Sequence, residues 1–454
     1  MSQILLLSPD VITERMAGPA IRYWEFAKAL ASLHTVTLAA PNVIPETLQK
    51  TLPVAMVQHT SENIVELTNC HDIIIFQGYI FDLYPGLRQS HKILIADLYD
   101  PVPLEGLEQH KEPQFMEMID HQVRMMNDQL KFSDYFLCAS NRQRDLWLGH
   151  LLALGRINPL TYHEIQQRMI TIPFGLPDNI PQSTGPGFRQ KFGIEDTEFV
   201  LLWGGGIWEW FDPLTLIRAI HRLVPRYQNL RLVFLGTQHP NPTIPTMQMQ
   251  HRAEALAQEL GLYNKNVIFQ RGWVPYDTLH NHLLEADVGV SAHFETLETH
   301  FSFRTRILYY LWAGKPIITT QGDVLADEIH RHKAGIIVNP KDEEAWIAAI
   351  EKLQDPDNYA SYLTGVKKLA SHYQWVKVTQ PLQTLCTQAS LSPDMLFEKG
   401  IRQSRHWDCE PEYNALKSHT VALEQQLEII ENSNSWKITA PLRNLRRWLT
   451  HWKT

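Results

Sequence analysis

Two arginines stand at the start of a predicted helix in the second half of the chain. The stretch FSFRTRILYYLWAGKPIITT covers residues 301–320 and contains Arg304 and Arg306. From Thr305 onward its apolar spacing predicts a helix that ends at Gly314. The N-terminal end of a helix is electrostatically positive, so two guanidinium groups there are unfavourable unless an anion joins them. A diphosphate would bind both arginines and the free backbone N–H groups of that helix end.

The same arginines have a second interpretation that needs no ligand. The preceding segment, SAHFETLETH, contains Glu295 and Glu298. Each arginine could pair with one of these carboxylates in an ordinary ion pair. The sequence leaves both interpretations open.

Two glycine turns suggest where an anion could bind. In LLWGGGIWEWFDPLTLIRAI (residues 201–220), Gly205 and Gly206 follow a predicted strand, and Gly18 forms a second turn after the first predicted strand. Glycine lets the backbone approach a phosphate closely, although tight packing of two elements would explain either turn alone. The chain contains neither GxGxxG nor GxxxxGKS/T, which argues against nicotinamide dehydrogenases and P-loop proteins.

The elements that would position these residues alternate between short apolar strands and longer amphipathic helices. Continuous runs of Ile, Leu and Val with helices between them predict parallel sheets covered on both faces. The predicted fold class is therefore α/β, with two Rossmann-like doubly wound parallel-sheet domains and a helical C-terminal tail. A ligand would bind in the cleft between the domains, at the carboxyl ends of the strands. The predicted strands are 4–8, 35–40, 72–77, 92–97, 135–140 and 169–174 in the first half, and 199–206, 230–236, 266–272, 287–292, 315–320 and 335–340 in the second.

Composition shifts predict the domain boundaries. Residues 179–194, NIPQSTGPGFRQKFGI, are rich in Pro, Gly and Ser, as a linker would be. The predicted organisation is a first domain at 1–180, a linker at 181–194, a second domain at 195–370, a helix returning to the first domain at 371–390 and a helical, coiled-coil and basic tail at 391–454.

The tail combines a short heptad pattern with a basic end. After Glu431 basic residues alternate with tryptophans, and such an end could lie on an anionic membrane surface or pack against protein; both remain open. Self-association or peripheral membrane contact through residues 410–454 is thus expected. The apolar positions with coiled-coil spacing are Tyr413, Leu416, Thr420, Leu423, Leu427 and Ile430.

Composition excludes several classes of protein. The net charge of −8 argues against nucleic-acid binding. Four cysteines without metal-ligand spacing indicate reduced thiols and no metal site. No run approaches the roughly 18 apolar residues of a transmembrane helix, and the N-terminus lacks the features of a signal peptide. We therefore expect a cytoplasmic protein, with a peripheral position at the inner face of the cytoplasmic membrane as a further option.

The ordered motifs resemble those of the family 4 glycosyltransferases, which have the two-Rossmann-domain GT-B fold. The resemblance covers about residues 3–385 and depends on GPAIRYWEFAKALA, WGGGIWEWFDPLTLIRA, RGWVPYDTLHNHLLEADVGV and FSFRTRILYYLWAGKPIITT. The tail segment NSNSWKITAPLRNLRR is similar to an extension on some bacterial cell-surface-glycan glycosyltransferases. The resemblance implies retaining, metal-independent sugar transfer from a nucleotide-diphosphate donor held mainly by the second domain. The acceptor would bind mainly to the first domain.

The resemblance also implies donor-binding positions in this chain. Gly18 and Gly205 match the two glycine turns near the donor phosphates, with Gly206 beside the second. Trp273 lies in the segment that usually holds the nucleobase, and Gly314 follows the donor-site helix.

This chain departs from the family pattern where charged residues are expected. The family usually has Arg just after the Gly205 position and Lys five residues further on, where this chain has Gly206 and Phe211. A glutamate that holds the ribose is replaced by Tyr309, which can offer one hydroxyl. A second glutamate is replaced by Phe301.

A first-domain histidine that is common in the family is also missing. The segment ADLYDP at that place contains Asp97, Tyr99 and Asp100, of which Asp100 is our candidate. We expect Arg304 and Arg306 to supply the missing phosphate-binding charge and Glu298 to replace the missing catalytic-region glutamate. The predicted catalytic residues are therefore Glu298, Arg304, Arg306 and Asp100.

Three functions remain compatible with these residues. The first is a glycosyltransferase that builds a bacterial surface polysaccharide or lipid-linked glycan from a nucleotide sugar, without any other cofactor. The second is a catalytically weak relative that binds nucleotide or glycan and acts as a scaffold, which the missing Arg, Lys and Glu favour. The third is a nucleotide-sugar epimerase.

Overall fold

The computed structural model describes residues 1–241, 244–396 and 433. The chain divides into two compact units, Met1–Met395 and Leu396–Thr454, and the first unit carries all the elements described below. The predicted coiled-coil seam and the basic, tryptophan-bearing end lie outside the described residues.

The first half of the chain forms a seven-stranded sheet in which all strand pairs are parallel, in the order β3-β2-β1-β4-β5-β6-β7. Its strands are β1 (Gln3–Leu7), β2 (Thr35–Ala40), β3 (Ala55–Gln58), β4 (Ile73–Phe76), β5 (Ile93–Asp97), β6 (Tyr135–Cys138) and β7 (Met169–Thr171). Its helices are α1 (Gly18–Leu30), α2 (Glu46–Gln49), α3 (Ile64–Asn69), α4 (Ile80–Leu83), α5 (Val102–Gln109), α6 (Met116–Phe132), α7 (Asn141–Ala153) and α8 (Ile165–Arg168), with short 3-10 turns at Pro85–Gln89 and Pro113–Phe115.

The second half forms a six-stranded parallel sheet in the order β10-β9-β8-β11-β12-β13. Its strands are β8 (Phe199–Gly204), β9 (Leu230–Leu235), β10 (Val267–Gln270), β11 (Val288–Ser291), β12 (Ile317–Thr320) and β13 (Gly335–Val338). The remaining helices are α9 (Phe188–Phe192), α10 (Pro213–Leu223), α11 (Gln248–Glu259), α12 (Leu279–Leu284), α13 (Leu297–Phe301), α14 (Thr305–Trp312), α15 (Val324–His332), α16 (Glu343–Gln354), α17 (Pro356–Ala370), α18 (Trp375–Val378) and α19 (Gln380–Gln388).

These sheets confirm the predicted pair of doubly wound α/β domains. Strands such as β4 and β11 are buried along their whole length, as expected when helices cover both faces of a parallel sheet. The sequence reading missed β3, because this edge strand is half-exposed and lacks a continuous apolar run. In each sheet the strand order reverses beside the first strand, next to β1 and next to β8. Such reversal points form crevices at the carboxyl ends of the strands.

Two segments connect the domains. Within 181–194, where a linker is predicted, residues 188–192 form α9, and the backbone N–H groups of Gly187 and Arg189 donate to the Glu285 carboxylate at 2.7 and 2.6 Å. Near the end of the described chain, Trp375 packs 5.0 Å from Phe174, measured between ring centroids. These contacts fix both connections on the folded domains.

Further hydrogen bonds join the two domains beside the cleft. The Tyr99 hydroxyl donates to the Phe303 carbonyl at 3.1 Å, and Gln143 Nε2 donates to the Phe301 carbonyl at 2.9 Å. Arg142 Nη1 donates to the Gly322 carbonyl at 2.6 Å. The segment that precedes α14 is therefore bonded to the first domain through Phe301 and Phe303, and Gly322, after β12, adds a third bond of this kind.

Among the described helices, none has both the length and the apolar character that a membrane span requires.

Candidate functional site

A cavity of about 680 Å³ lies between the carboxyl ends of the two sheets. Ser8 follows β1 and Gln77 follows β4 on its first-domain side. Gly205 follows β8 and Gly236 follows β9 on its second-domain side. The cavity therefore occupies the crevice at which both sheets reverse their strand order, the usual ligand position in such folds. Of the ten predicted site residues, it is lined by Glu298, Arg304, Arg306, Asp100, Gly18, Gly205, Gly206, Trp273 and Tyr309.

Arg304 forms a buried ion pair at the start of α14. Its Nη1 and Nη2 atoms donate to the two carboxylate oxygens of Glu298 at 2.8 and 2.6 Å. Arg304 is 7% exposed and Glu298 is 1% exposed. Pairing with a preceding glutamate thus accounts for Arg304, whereas Glu295 is exposed and pairs with neither arginine in the part of the chain described. Glu298 therefore binds Arg304 directly. The catalytic role proposed for Glu298 stays a prediction.

Arg306 has no carboxylate partner among the described residues, although it is only 9% exposed. Its Nη2 donates to the Gly206 carbonyl at 2.7 Å. The guanidinium carbon lies 4.1 Å from the Phe211 ring centroid and 4.9 Å from that of Trp203. Burial lowers the pKa of Arg306, Tyr310 partly opposes this and the nearby charge of Arg304 adds to it, so that the pKa is about 10. At that pKa the guanidinium remains charged at neutral pH.

Two guanidinium N–H groups at this helix end have no hydrogen-bond partner in the described chain: Arg304 Nε and Arg306 Nη1. A buried cation without an anion is costly. An anion that accepted these N–H groups, together with the free backbone N–H groups at the start of α14, would remove most of this penalty. The arrangement can therefore bind a phosphate group or a diphosphate.

The glycine turn of the second domain allows a ligand to approach the backbone. Gly205 has a φ of +89°, which other residues rarely adopt, and its N–H donates to the Leu235 carbonyl at 2.7 Å. Gly206 follows directly and supplies the carbonyl that holds Arg306. A Cβ atom on Gly205 would lie 3.9 Å from the Trp273 ring.

Gly18 approaches the same place from the first domain. It is the first residue of α1, and a Cβ atom there would lie 3.9 Å from Thr305 Cγ2, at the start of α14. Trp273 closes the cleft on another side, because its indole N–H donates to the Met16 carbonyl at 2.8 Å. The two glycine turns therefore line the same cleft, Gly18 from the first domain and Gly205 from the second.

Tyr309 lies in the lining of the cavity, whereas Gly314 lies at the end of α14. The Tyr309 hydroxyl has no hydrogen-bond partner among the described residues, and burial raises the pKa of this group, with Glu25 adding to the effect. Tyr309 thus presents one unused hydroxyl in the cavity lining. Gly314 lies outside the cavity lining and follows α14 with a φ of +73°, where it allows the chain to leave the helix.

The first-domain side of the cavity carries carboxylates. In the protein interior, Arg22 donates to Asp97 through Nε and Nη2 at 2.7 and 3.0 Å. Asp100 is therefore the carboxyl group of ADLYDP that lines the cavity. Burial, followed by repulsion from Asp97, raises the pKa of Asp100 to about 6. Burial, followed by repulsion from Asp100, raises the pKa of Glu105 well above its usual value.

Sequence reasoning missed Glu105 and Gln77 as cavity residues. Gln77 ends the predicted strand DIIIFQ, and the end of a parallel strand is a place where ligand-binding side chains are expected. Glu105 lies on α5, whose sequence VPLEGLEQ contains Pro and Gly and does not predict a helix. Among the described residues, no group of three or more His, Cys, Asp or Glu side chains could hold a metal ion.

Part of the chain matches a known protein family. Residues 198–355 match the protein family described as glycosyl transferases group 1. This match covers the second domain, where the glycine turn and α14 lie. A comparison with curated proteins found no match to the chain.

Solved structures with the same fold share little sequence identity with this chain. Sucrose-phosphate synthase from Thermosynechococcus elongatus has a TM-score of 0.62 and 17% identity, covering 86% of this chain and 99% of that one. HepE from Anabaena, in complex with UDP-glucose, has a TM-score of 0.62 and 15% identity, covering 86% and 100%. WaaG, a glycosyltransferase involved in lipopolysaccharide biosynthesis, has a TM-score of 0.60 and 16% identity, covering 85% and 100%. The fold is therefore GT-B.

Proposed function

We propose that this chain is a retaining glycosyltransferase. It would transfer a sugar from a nucleotide-diphosphate donor to a glycan or lipid-linked acceptor in cell-surface polysaccharide synthesis, without a metal ion. The observation that carries the proposal is Arg306, a buried guanidinium at the start of α14 that has no carboxylate partner in the described part of the chain and lies in the cavity that both glycine turns line. The match of residues 198–355 to glycosyl transferases group 1 supports the same conclusion.

The chemistry requires stabilisation of a leaving diphosphate. As the bond to the anomeric carbon breaks, negative charge grows on the phosphate oxygens and the sugar becomes oxocarbenium-like. Donors fixed in a dry cleft stabilise that charge better than water does, because they need no reorganisation. Arg306 Nη1, Arg304 Nε and the first backbone N–H groups of α14 would supply the donors. Glu298 would hold Arg304 in the required orientation.

Two similar structures support the choice of donor and pathway. HepE binds UDP-glucose and WaaG acts in lipopolysaccharide biosynthesis. Uridine nucleotides are therefore the first donors to test. Tyr309, Trp273 and the backbone around Gly205 would contact the nucleoside part of such a donor.

The test is a thermal-shift screen with UDP, GDP, ADP and their glucose conjugates. Free ligand at about 100 times its Kd should stabilise the protein by ~2.7 kcal/mol. The response should be lost or strongly reduced in Arg306→Met. Arg226→Met is the matched control, since Arg226 lies on the surface, where it pairs with Glu351. The absence of a shift with every nucleotide would contradict the proposal, as would an equal shift in Arg306→Met.

A scaffold function is the second candidate. The observation that favours it is the uncharged pair Gly206 and Phe211, which stands where the resembling family carries Arg and Lys. A scaffold would bind nucleotide without turnover. Detection of a glycosylated product in the presence of EDTA would exclude the scaffold and support metal-independent transfer. An epimerised donor without product would indicate the third candidate, a nucleotide-sugar epimerase.

A further inference from the structure

The two sides of the cavity differ in charge. On the second-domain side the cations are Arg304 and Arg306. On the first-domain side the charged lining residues of the described chain are Asp10, Asp100 and Glu105, without any Lys or Arg. The first-domain side is therefore acidic, opposite in charge to the side that suits phosphate.

Gln77 lies on this acidic side of the cavity, and its buried amide oxygen needs a hydrogen-bond donor. The side chain is 5% exposed and lines the cavity. Its Nε2 donates to Asp100 Oδ2 at 2.8 Å, which fixes the orientation of the amide. Its Oε1 has no hydrogen-bond partner among the described residues. A buried acceptor without a donor is unfavourable, so a ligand that supplied a hydroxyl here would bind more tightly.

In the described part of the chain, the neighbouring carboxyl groups of Asp100 and Glu105 also receive no hydrogen bond from a cation. Arg22 binds Asp97 and Arg304 binds Glu298, so the nearest guanidinium groups are already paired. Asp100 receives the single bond from Gln77 described above. A ligand on this side would therefore meet hydrogen-bond acceptors and negative charge. Groups with several donors and no negative charge are favoured, and phosphate or carboxylate groups are repelled.

Apolar side chains complete this side of the cavity. Tyr79, Ile80, Leu83 and Val102 line it beside the carboxylates. Tyr79 is 40% exposed and presents an aromatic ring. A ring of this kind can pack against the C–H face of a sugar while the sugar hydroxyls reach polar groups nearby.

We propose that the acceptor presents a sugar without negative charge at its reacting end, whose hydroxyl groups donate to Gln77 Oε1 and to the carboxyl oxygens of Asp100 and Glu105. This inference rests on the proposed glycosyltransferase function and narrows its acceptor. A sugar phosphate, a uronic acid or a lipid diphosphate joined directly to the reacting sugar does not fit this side. A lipid carrier is compatible when at least one neutral sugar separates its phosphate from the reacting hydroxyl.

The experiment measures sugar binding by saturation-transfer NMR and calorimetry on the full chain, first alone and then with UDP. The neutral probes are the methyl glycosides of glucose, galactose, mannose and N-acetylglucosamine. The charged probes are glucose 6-phosphate, mannose 6-phosphate, glucuronate and glucosamine. At least one neutral sugar should bind, and its phosphorylated or carboxylated form should bind at least tenfold more weakly.

A variant tests the origin of this preference. At pH 8 Asp100, with its pKa of about 6, is ionised, so Asp100→Asn removes one negative charge with little change of shape. It should strengthen binding of the sugar phosphate about tenfold relative to the neutral sugar. Glu108→Gln, on α5 but outside the cavity lining, should leave the ratio unchanged. If Asp100→Asn fails to fold, glucuronate binding to the wild-type protein at pH 8 and at pH 5 is the second test, because protonation of Asp100 should weaken the preference for the neutral sugar.

Several outcomes would overturn the inference. They are equal or tighter binding of the anionic sugars, binding of no neutral sugar in the panel, or an unchanged preference in a folded Asp100→Asn protein. Failure of UDP to bind would instead count against the proposed glycosyltransferase function, because sugar binding is measured without nucleotide as well. The two failures are therefore distinguishable.

Discussion

The guanidinium of Arg306 lies 4.1 Å from the ring centroid of Phe211, and it donates to the carbonyl of Gly206 at 2.7 Å. By the resemblance to the family 4 glycosyltransferases, these two positions correspond to a Lys and an Arg. Arg306 therefore places a cation beside Gly206 and Phe211, where the resemblance leads one to expect two. This cation comes from α14 and not from the loop before α10. This geometry supports the hypothesis that Arg306 replaces their charge.

Arg306→Met should stabilise the protein and weaken nucleotide binding. Methionine keeps apolar contact with Phe211 and Trp203 but removes a buried charge for which the described residues offer no carboxylate partner. We expect the free energy of unfolding to rise by about 1–2 kcal/mol. We expect the Kd for UDP to rise by about a factor of 100, since a charge-assisted contact with the diphosphate is lost. Chemical denaturation and calorimetry measure the two effects.

A purely structural arginine would behave differently. Its replacement would lower the free energy of unfolding and leave the Kd for UDP unchanged. Arg306→Lys keeps the charge and should retain part of the UDP affinity, which separates loss of charge from loss of shape.

Glu298→Gln should destabilise the protein because it leaves Arg304 buried without its counterion. Breaking a buried ion pair of this kind costs about 3 kcal/mol. The double variant Glu298→Met/Arg304→Met should recover most of that loss, since both charges are then gone. Denaturation of both single variants and the double variant gives the coupling energy. A Glu298→Gln protein with wild-type stability but no turnover would instead place Glu298 at the reacting centre.

Much of the fold is predictable from the sequence, because buried parallel strands leave continuous Ile, Leu and Val runs. The strand β8 before Gly205 is an example. Gly314 likewise marks the exit from α14, which ends two residues earlier at Trp312. The partner of Arg304 is not predictable, because the choice between Glu295 and Glu298 depends on how α13 packs. Glu105 is also missed, since its helix forms against α6 despite Pro and Gly in its sequence.

Asp100→Asn should stabilise the protein at high pH. The pKa of Asp100 is about 6 in the folded protein, raised by burial and by Asp97 and Glu298, while Gln77 and Arg22 act in the opposite direction. A carboxyl whose pKa is raised on folding stabilises the protein in its protonated form, and that stability is lost as the pH rises through about 6. At pH 8 we expect the variant to be more stable by about 1 kcal/mol, after allowance for screening by solvent.

The pH dependence identifies the cause of this difference. The advantage of Asp100→Asn should shrink to less than half as the pH falls from 8 to 4.5, because the wild-type carboxyl is then protonated in the folded state. Denaturation curves at four pH values are sufficient. A variant that is less stable than wild type at pH 8 would show that ionised Asp100 is stabilised by contacts stronger than the repulsion inferred here.

Gly18→Ala separates the ligand-binding role of the first glycine turn from its role in folding. Gly18 begins α1 with a backbone that alanine can adopt, so the change should raise the free energy of unfolding by about 0.5 kcal/mol. The new methyl group would face Thr305 at 3.9 Å, at the entrance to the diphosphate position, and should weaken UDP binding about tenfold. Gly205→Ala is the contrasting variant: its φ of +89° makes alanine unfavourable by about 1–2 kcal/mol whether or not ligand is bound. Unchanged UDP affinity in a stabilised Gly18→Ala protein would show that the diphosphate binds away from the first domain's turn, against Arg306 and the second domain alone.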